Sequence, residues 1–254
     1  MIKYGLKLWS NNINLFSEAV ELCEKKVFDY IEIYHNSQSS IDYEALSNLK
    51  KVNVLGVHIG DLVDAKFHDF FLTSEQQPVW ESTIKLADFF NANYIVVHPA
   101  RLHNLDDLFF NLKKMNDKRI VVENMPGFDI YSRPMNCGVN KKDLQLIRNN
   151  YPILFDFEKA LKSSTREKVD YKNFVKDCLL ELSPVYFHIS GGHTDVSIDE
   201  HTNLWDSDID IGFIKNVLGD YAEHREVYLA FETPKIGENI ENDIKNIDYF
   251  KATI

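Results

Sequence analysis

The sequence predicts an α/β protein of the (β/α)8 TIM-barrel class, with one domain spanning residues 1–254. Three observations predict it. The chain has 254 residues, close to the ~250 typical of this barrel. Eight short apolar runs recur along it. Amphipathic, helix-compatible stretches lie between them, and strand alternating with helix reads as βα units around a parallel sheet.

The strand-like runs are 4–9, 30–35, 54–59, 94–99, 119–124, 153–157, 185–190 and 227–233. Each is rich in β-branched and aromatic residues. Several are continuous rather than alternating, as in strands covered on both faces. The helical stretches are 15–26, 79–92, 105–117, 142–150 and 171–182, with apolar residues at helical spacing and charges opposite. Asn14, Ser40 and Asn104 have the chemistry of N-caps. No Gly-rich turn follows the first run, which weighs against a doubly wound open sheet. Segment 189–212 is the longest without an evident element. A loop of that length in a compact domain is usually functional or mobile.

Hydrophobic residues make up 44% and charged residues 26%, the balance of a folded globular chain. No apolar run approaches the ~20 residues that span a bilayer, so no membrane partner is expected. The opening MIKYGLKLWSNN has no apolar signal core, and a cytoplasmic location is expected. Cys23, Cys137 and Cys178 are scattered and odd in number. They suggest neither a disulfide framework nor a thiolate zinc site. A net charge of −11 repels phosphate backbones at long range and disfavours a nucleic-acid partner. Self-association through the outer helices, a habit of barrels, is compatible with the sequence.

The decisive feature is position. Six of the eight runs carry a metal-competent side chain at or near the carboxyl end: His58, His98, Glu123, Asp156, His188 and Glu232. In a barrel these ends converge on the face where active sites are built. A single histidine there is more often a hydrogen-bonded structural residue than a ligand. The carboxylates are harder to explain singly. Glu123, Asp156 and Glu232 lie within apolar runs, where an unpaired buried carboxylate costs several kcal/mol. Arg119 and Arg133 are the nominal counterions. Three carboxylates and three imidazoles at equivalent positions point instead to bound divalent metal. The donors are all nitrogen and oxygen, a set that suits zinc, manganese, iron or cobalt. One to three ions are expected, with Glu123 the natural bridge between two. Asp199 and His201 would complete a further site, although their segment also reads as a solvated acidic loop. Trp9, Tyr34 and Phe157 have faces on which a sugar ring can stack, and read equally well as barrel packing.

VHPA (97–100), VENMPG (122–127), FDFEK (155–159), FHISGGHTDVSIDEHTNL (187–204) and FETP (231–234) resemble the xylose isomerase-like barrel superfamily. That group includes sugar-phosphate isomerases and epimerases and the endonuclease IV-like AP endonucleases of family 2. The resemblance runs over essentially the whole chain. Its endonuclease IV branch implies that His58, His98 and Glu123 hold one zinc ion and that Glu123, Asp156, His188 and Glu232 hold a second. Asp199 and His201 would hold part of a third. Lys159 departs from that pattern, which has a histidine there; a protonated lysine ligates no metal. Loops 35–46 and 60–70 contain no residue matching the arginine or the intercalating tyrosine that this branch inserts into DNA.

The isomerase branch needs only Glu123, Asp156, His188 and Glu232. Its two glutamates act as acid and base on opposite faces of the sugar, while the metal stabilises the enediolate. Its usual arginine after the strand-7 histidine and its G-x-G are absent. HISGG followed by D-x-H also resembles multinuclear iron oxidative enzymes that modify peptides, without their Asn-rich turn. The expectation is therefore a divalent-metal-dependent isomerase or epimerase acting on a small carbohydrate or sugar phosphate. Glu123 and Glu232 would exchange protons, Lys159 would hold a substrate oxygen, and Trp9 and Tyr34 would line the pocket. An endonuclease IV-like phosphodiesterase acting on abasic-site DNA and an iron oxidative enzyme are the alternatives. The intact ligand set argues against a barrel that has lost catalysis.

Overall fold

The computed structural model describes residues 1–37, 39–59, 76–99, 104–129, 131–235 and 239–253. Its strands are β1 (Ile2–Trp9), β2 (Tyr30–Tyr34), β3 (Val54–His58), β4 (Tyr94–Val97), β5 (Ile120–Glu123), β6 (Ile153–Asp156), β7 (Tyr186–Ile189) and β8 (Val227–Phe231). All pair in parallel and in chain order, and β8 closes on β1. The described helices are α1 (Phe16–Glu24), α2 (Tyr43–Leu46), α3 (Gln77–Phe90), α4 (Leu105–Met115), α5 (Lys141–Arg148), α6 (Phe157–Glu167), α7 (Tyr171–Leu182), α8 (Ile211–Tyr221) and α9 (Glu241–Ala252). All eight expected strands form. No described helix is long and apolar enough to cross a membrane.

The strands form where they do because both of their faces are covered. One set of strand residues, among them Leu6, Leu8, Ile31, Ile33, Val57, Ile95 and Val97, packs under the helices in the main core. The alternate set fills the barrel itself with Tyr30, Leu55, Val96, Val121, Leu154, Tyr186 and Ala230. Two glycines give the interior tyrosines room. A Cβ on Gly5 would stand 2.3 Å from the Tyr30 ring, and one on Gly56 would stand 3.1 Å from the Tyr186 hydroxyl. Because side chains alternate with period two, and with the β3 register against β2 shifting by one residue between Ile31 and Glu32, opposite Leu55 and Gly56, the next inward residues lie two positions beyond Gly5, Tyr30, Gly56, Val96, Val121, Leu154, Tyr186 and Ala230. Those residues are Lys7, Glu32, His58, His98, Glu123, Asp156, His188 and Glu232. The register sets Lys7 beside Glu32 and Asp156 beside His188.

Helix α6 is the main element that sequence patterning does not anticipate; α2, α8 and α9 also add to the expected set. Residues 157–164 are all buried although they include Glu158, Lys159, Lys162 and two serines. Both lysines and both serines are paired inside the molecule, so burial extends beyond the short apolar stripe of Phe157, Ala160 and Leu161. Asp156 caps α6 by accepting the Lys159 N–H at 2.7 Å. Asn104 caps α4 as expected. Asp42 rather than Ser40 caps α2, and Asn14 sits inside a 3-10 turn, Ile13–Leu15, instead of capping α1. Loop 60–70 lies outside the described residues.

The long segment after β7 is held down rather than free. Gly191 and Thr202 exchange two backbone hydrogen bonds at 2.9 and 3.0 Å. The Lys162 ammonium on α6 donates to the carbonyls of His193 and Val196 at 2.8 and 2.9 Å and to Glu200 at 2.6 Å. The three cysteines are buried free thiols.

One side chain replaces backbone pairing beside the site. Asn124 accepts the Asp156 N–H at 2.7 Å and donates to the Asp156 carbonyl at 3.0 Å. Asn124→Ala would strip both groups of their partner in a buried setting. At about 1–3 kcal/mol per unsatisfied group, the urea unfolding midpoint should fall by the equivalent of ~2–4 kcal/mol with the slope unchanged. A loss below about 1 kcal/mol would show that Asn124 does not carry this role.

Candidate metal centre

Each strand end brings its polar residue to one point inside the barrel mouth. Among the described residues, two groups present donors within 4.8 Å of one another: His58, His98 and Glu123, and Glu123, Asp156, His188 and Glu232. Glu123 belongs to both and is fully buried. Its Oε2 lies 2.5 Å from His98 Nε2 and 3.4 Å from His58 Nε2. Its Oε1 lies 3.0 Å from His188 Nδ1. One oxygen thus faces each group, the placement a bridging carboxylate needs.

His188 is oriented from below. Its Nε2 sits 2.9 Å from Glu32 Oε2, and the Tyr186 hydroxyl donates to the same oxygen. That leaves Nδ1 facing Glu123 and Glu232, each at 3.0 Å. A carboxylate behind a ligating imidazole fixes its ring orientation and raises its basicity.

The counterions are lysines, not arginines. Arg119 pairs with Asp117 and Asp88, and Arg133 with Asp129, all away from the ring. Lys7 on β1 pairs with Glu232 and lies 3.1 Å from Glu32 Oε1. Lys159 Nζ lies 2.7 Å from Glu123 Oε1, 3.7 Å from Glu232 Oε2 and 3.4 Å from His98 Nε2. Lys7 and Glu32 are the site residues that sequence reading passes over. Their signal was present: each is a charged residue in the middle of an apolar strand run.

Burial and charge set the protonation of the ring. Burial alone would raise the Glu123 pKa, but Lys159, His188 and His98 outweigh it and hold the carboxylate well below the usual range. His188 and Lys7 do the same for Glu32. Burial lowers His58 to about 4, with Lys7 adding to the effect. Burial and Lys159 hold His98 well below its ordinary value, so both imidazoles are neutral, the form that ligates. Burial opposes charge on Lys159, but Glu123, Asp156 and Asp199 prevail and keep it cationic. Burial raises Asp156, an effect Lys159 only partly offsets.

The donor set fits a divalent ion. Neutral imidazoles and ionised carboxylates are the ligating forms; His58, His98 and Glu123 already hold them, while an ion would displace the proton that, against burial, Glu32 favours on His188 and the one that burial favours on Asp156. Asp156 Oδ2 is a buried oxygen without a hydrogen-bond partner, and it belongs to the four-donor group. Asp199 and His201 stand side by side at 3.0 Å, with His201 Nδ1 3.4 Å from Glu232 Oε2; they belong to neither group. Phe157 packs against Phe187 at 5.7 Å, fully buried, and lines no part of the site.

A cavity of about 700 Å³ opens above the ring. Lys7, His58, His98, Lys159 and Glu232 face it, with Trp9 and Tyr34 on one wall and Asp199 and His201 on another. Glu123 does not line it and lies beneath Lys159. Trp9 is 49% exposed, and its ring centroid is 6.3 Å from that of Tyr34.

No family profile matches the sequence, and neither does any curated protein. Solved structures match in fold. Endonuclease IV from Thermus thermophilus is 18% identical over 98% of each chain, with a TM-score of 0.66. The 3-keto-D-glucoside 4-epimerase of E. coli is 13% identical over 99% of each chain, at 0.63. A xylose isomerase domain protein from Alicyclobacillus acidocaldarius is 12% identical over 100% of this chain and 99% of its own, at 0.60. The chain therefore has the xylose isomerase-like (β/α)8 fold.

Two outcomes follow from the ring and its surroundings. Zn2+ or Mn2+ at a hundred times its dissociation constant should stabilise the protein by about 2.7 kcal/mol. Asp156→Asn, which keeps the helix cap, should remove most of that gain in a thermal shift. The second outcome concerns Glu158. Burial and the charge of Asp199 push Glu158 up to about 11, while His201 and the hydrogen bond from Glu158 overcome burial to hold Asp199 well below its usual value. The pair keeps one proton, on Glu158. The unfolded chain releases that proton above about 4.3, so its contribution is complete below that value and is lost as pH rises toward 11. Glu158→Gln should gain stability over the parent between pH ~5 and ~9, by at most ~1.4 kcal/mol per unit. A gap independent of pH would refute the shared proton.

Proposed function

We propose that the protein is a divalent-metal-dependent isomerase or epimerase of a small carbohydrate or sugar phosphate. One observation carries the reading: the cavity wall sets the Glu232 carboxylate between two ammonium groups, Lys7 and Lys159, in a cavity that the exposed Trp9 and the half-buried Tyr34 also line. A carboxylate can take a proton from carbon, ammonium groups can hold the oxygen that gains charge, and aromatic faces suit the apolar side of a sugar ring.

A divalent ion held by Glu123, Asp156, His188 and Glu232 would supply Lewis-acid polarisation of a carbonyl oxygen. The remaining work belongs to side chains. Glu232 removes the proton next to the carbonyl and returns it. Lys159 donates to the substrate oxygen and keeps Glu123 ionised. Glu123 lies beneath Lys159 and does not line the cavity; its part in the proton exchange requires the ammonium to turn toward the bound oxygen. Lys7 holds Glu232 in an ion pair, and Trp9 and Tyr34 orient the ring.

A second reading, an endonuclease IV-like phosphodiesterase, is favoured by the compact three-donor group of His58, His98 and Glu123. The net charge of −11 weighs against a DNA partner.

Ketose–aldose and epimer pairs incubated in D2O with Mn2+ test the first reading by NMR. Carbon-bound deuterium should appear, and Glu232→Gln should slow its appearance by about 10²–10⁴-fold. Nicking of abasic-site DNA that vanishes in Glu123→Gln, with no deuterium exchange into any sugar, would install the second reading.

A further inference from the structure

We infer that the Lys159 ammonium is a built-in cation of the ring, so that the chain binds one divalent ion fewer than its donor atoms would otherwise hold. Lys159 is not a surface lysine turned inward. It sits in the first turn of α6, its N–H fixed on the Asp156 side chain at 2.7 Å, and it is 2% exposed. Its Nζ stands among three donor atoms drawn from both ligand groups: Glu123 Oε1 at 2.7 Å, His98 Nε2 at 3.4 Å and Glu232 Oε2 at 3.7 Å. An ammonium has three N–H bonds and no acceptor; this one donates to Glu123 Oε1 and stands beside His98 Nε2 and the Glu232 carboxylate.

The space among those three atoms cannot hold the ammonium and a divalent ion together. A metal would approach Glu123 Oε1 to about 2.0–2.2 Å, and the ammonium already occupies the neighbouring space on the same oxygen. Two positive charges that close, at low dielectric, repel strongly. With Lys159 in place, Glu123 offers its Oε1 to an internal cation, and its bridging capacity is partly spent. Deleting the ammonium leaves a buried carboxylate without its counterion, surrounded by oxygen and nitrogen donors. A divalent ion is the species suited to that arrangement.

The inference rests on the metal reading of the ring but not on any reaction. Wild type, Lys159→Ala and Lys159→Gln are loaded with excess Mn2+ or Zn2+ and freed of unbound ion by gel filtration. The metal-to-protein ratio is then read by mass spectrometry. Both variants should carry one more ion per chain than wild type, and calorimetry should show one added binding event. A Lys159→Ala protein that folds only when metal is supplied would also support the assignment. Lys159→Gln keeps most of the side-chain length and a hydrogen-bond donor, so it is the variant that decides if the alanine protein misfolds. Equal, non-zero metal content in folded wild type and variants would overturn the built-in cation alone. No retained metal in any of them would overturn the metal reading as well.

Discussion

The structure is organised around the Glu123 carboxylate. It is fully buried at the carboxyl end of β5, and an ionised carboxylate in such a place is tolerable only if paired and hydrogen-bonded. His58, His98, Lys159 and His188 all turn toward it. Each comes from a different element, so four separate βα units are held to one carboxylate. The barrel is both the cause and the beneficiary: closure brings the strand ends together, and the charge keeps them in register around it.

Alternation along the strands separates stability from chemistry. The interior positions lower in the barrel hold Tyr30, Tyr186, Leu154 and Val121, which pack among themselves. Two residues further on, the same face carries Glu32, His188, Asp156 and Glu123. The Tyr186 hydroxyl links the layers by donating to Glu32, which in turn holds His188 Nε2. The apolar layer is thus the rigid floor from which the polar layer is aimed, and a ligand set held this way loses little order on receiving an ion or substrate.

Acidity and function are connected through the two lysines. The ring gathers Glu32, Glu123, Asp156, Glu232 and the neighbouring Asp199, a concentration of negative charge that the chain's net −11 does nothing to relieve. Lys7 and Lys159 offset part of it from inside. What remains is a negative site with two fixed positive points facing a cavity of about 700 Å³. That pattern suits a cation together with a small oxygen-rich molecule better than it suits a polyanionic surface.

The eight strands, the barrel class and the six ligand candidates at strand ends were legible in the chain alone, because apolar runs of strand length and polar residues at their ends are local features. Helix α6 was not legible: its buried lysines are satisfied by partners far away in sequence, such as His193, Val196 and Glu200 for Lys162. Lys7 and Glu32 were overlooked for the same reason. A charge inside a strand acquires meaning only from what faces it, and Glu232 and His188 lie more than 150 residues from their partners Lys7 and Glu32. By itself the sequence determined that metal-competent groups meet at one end of a barrel. Only the tertiary structure decided that two ammonium groups stand among them, because charge compensation depends on distance in space and not on spacing along the chain.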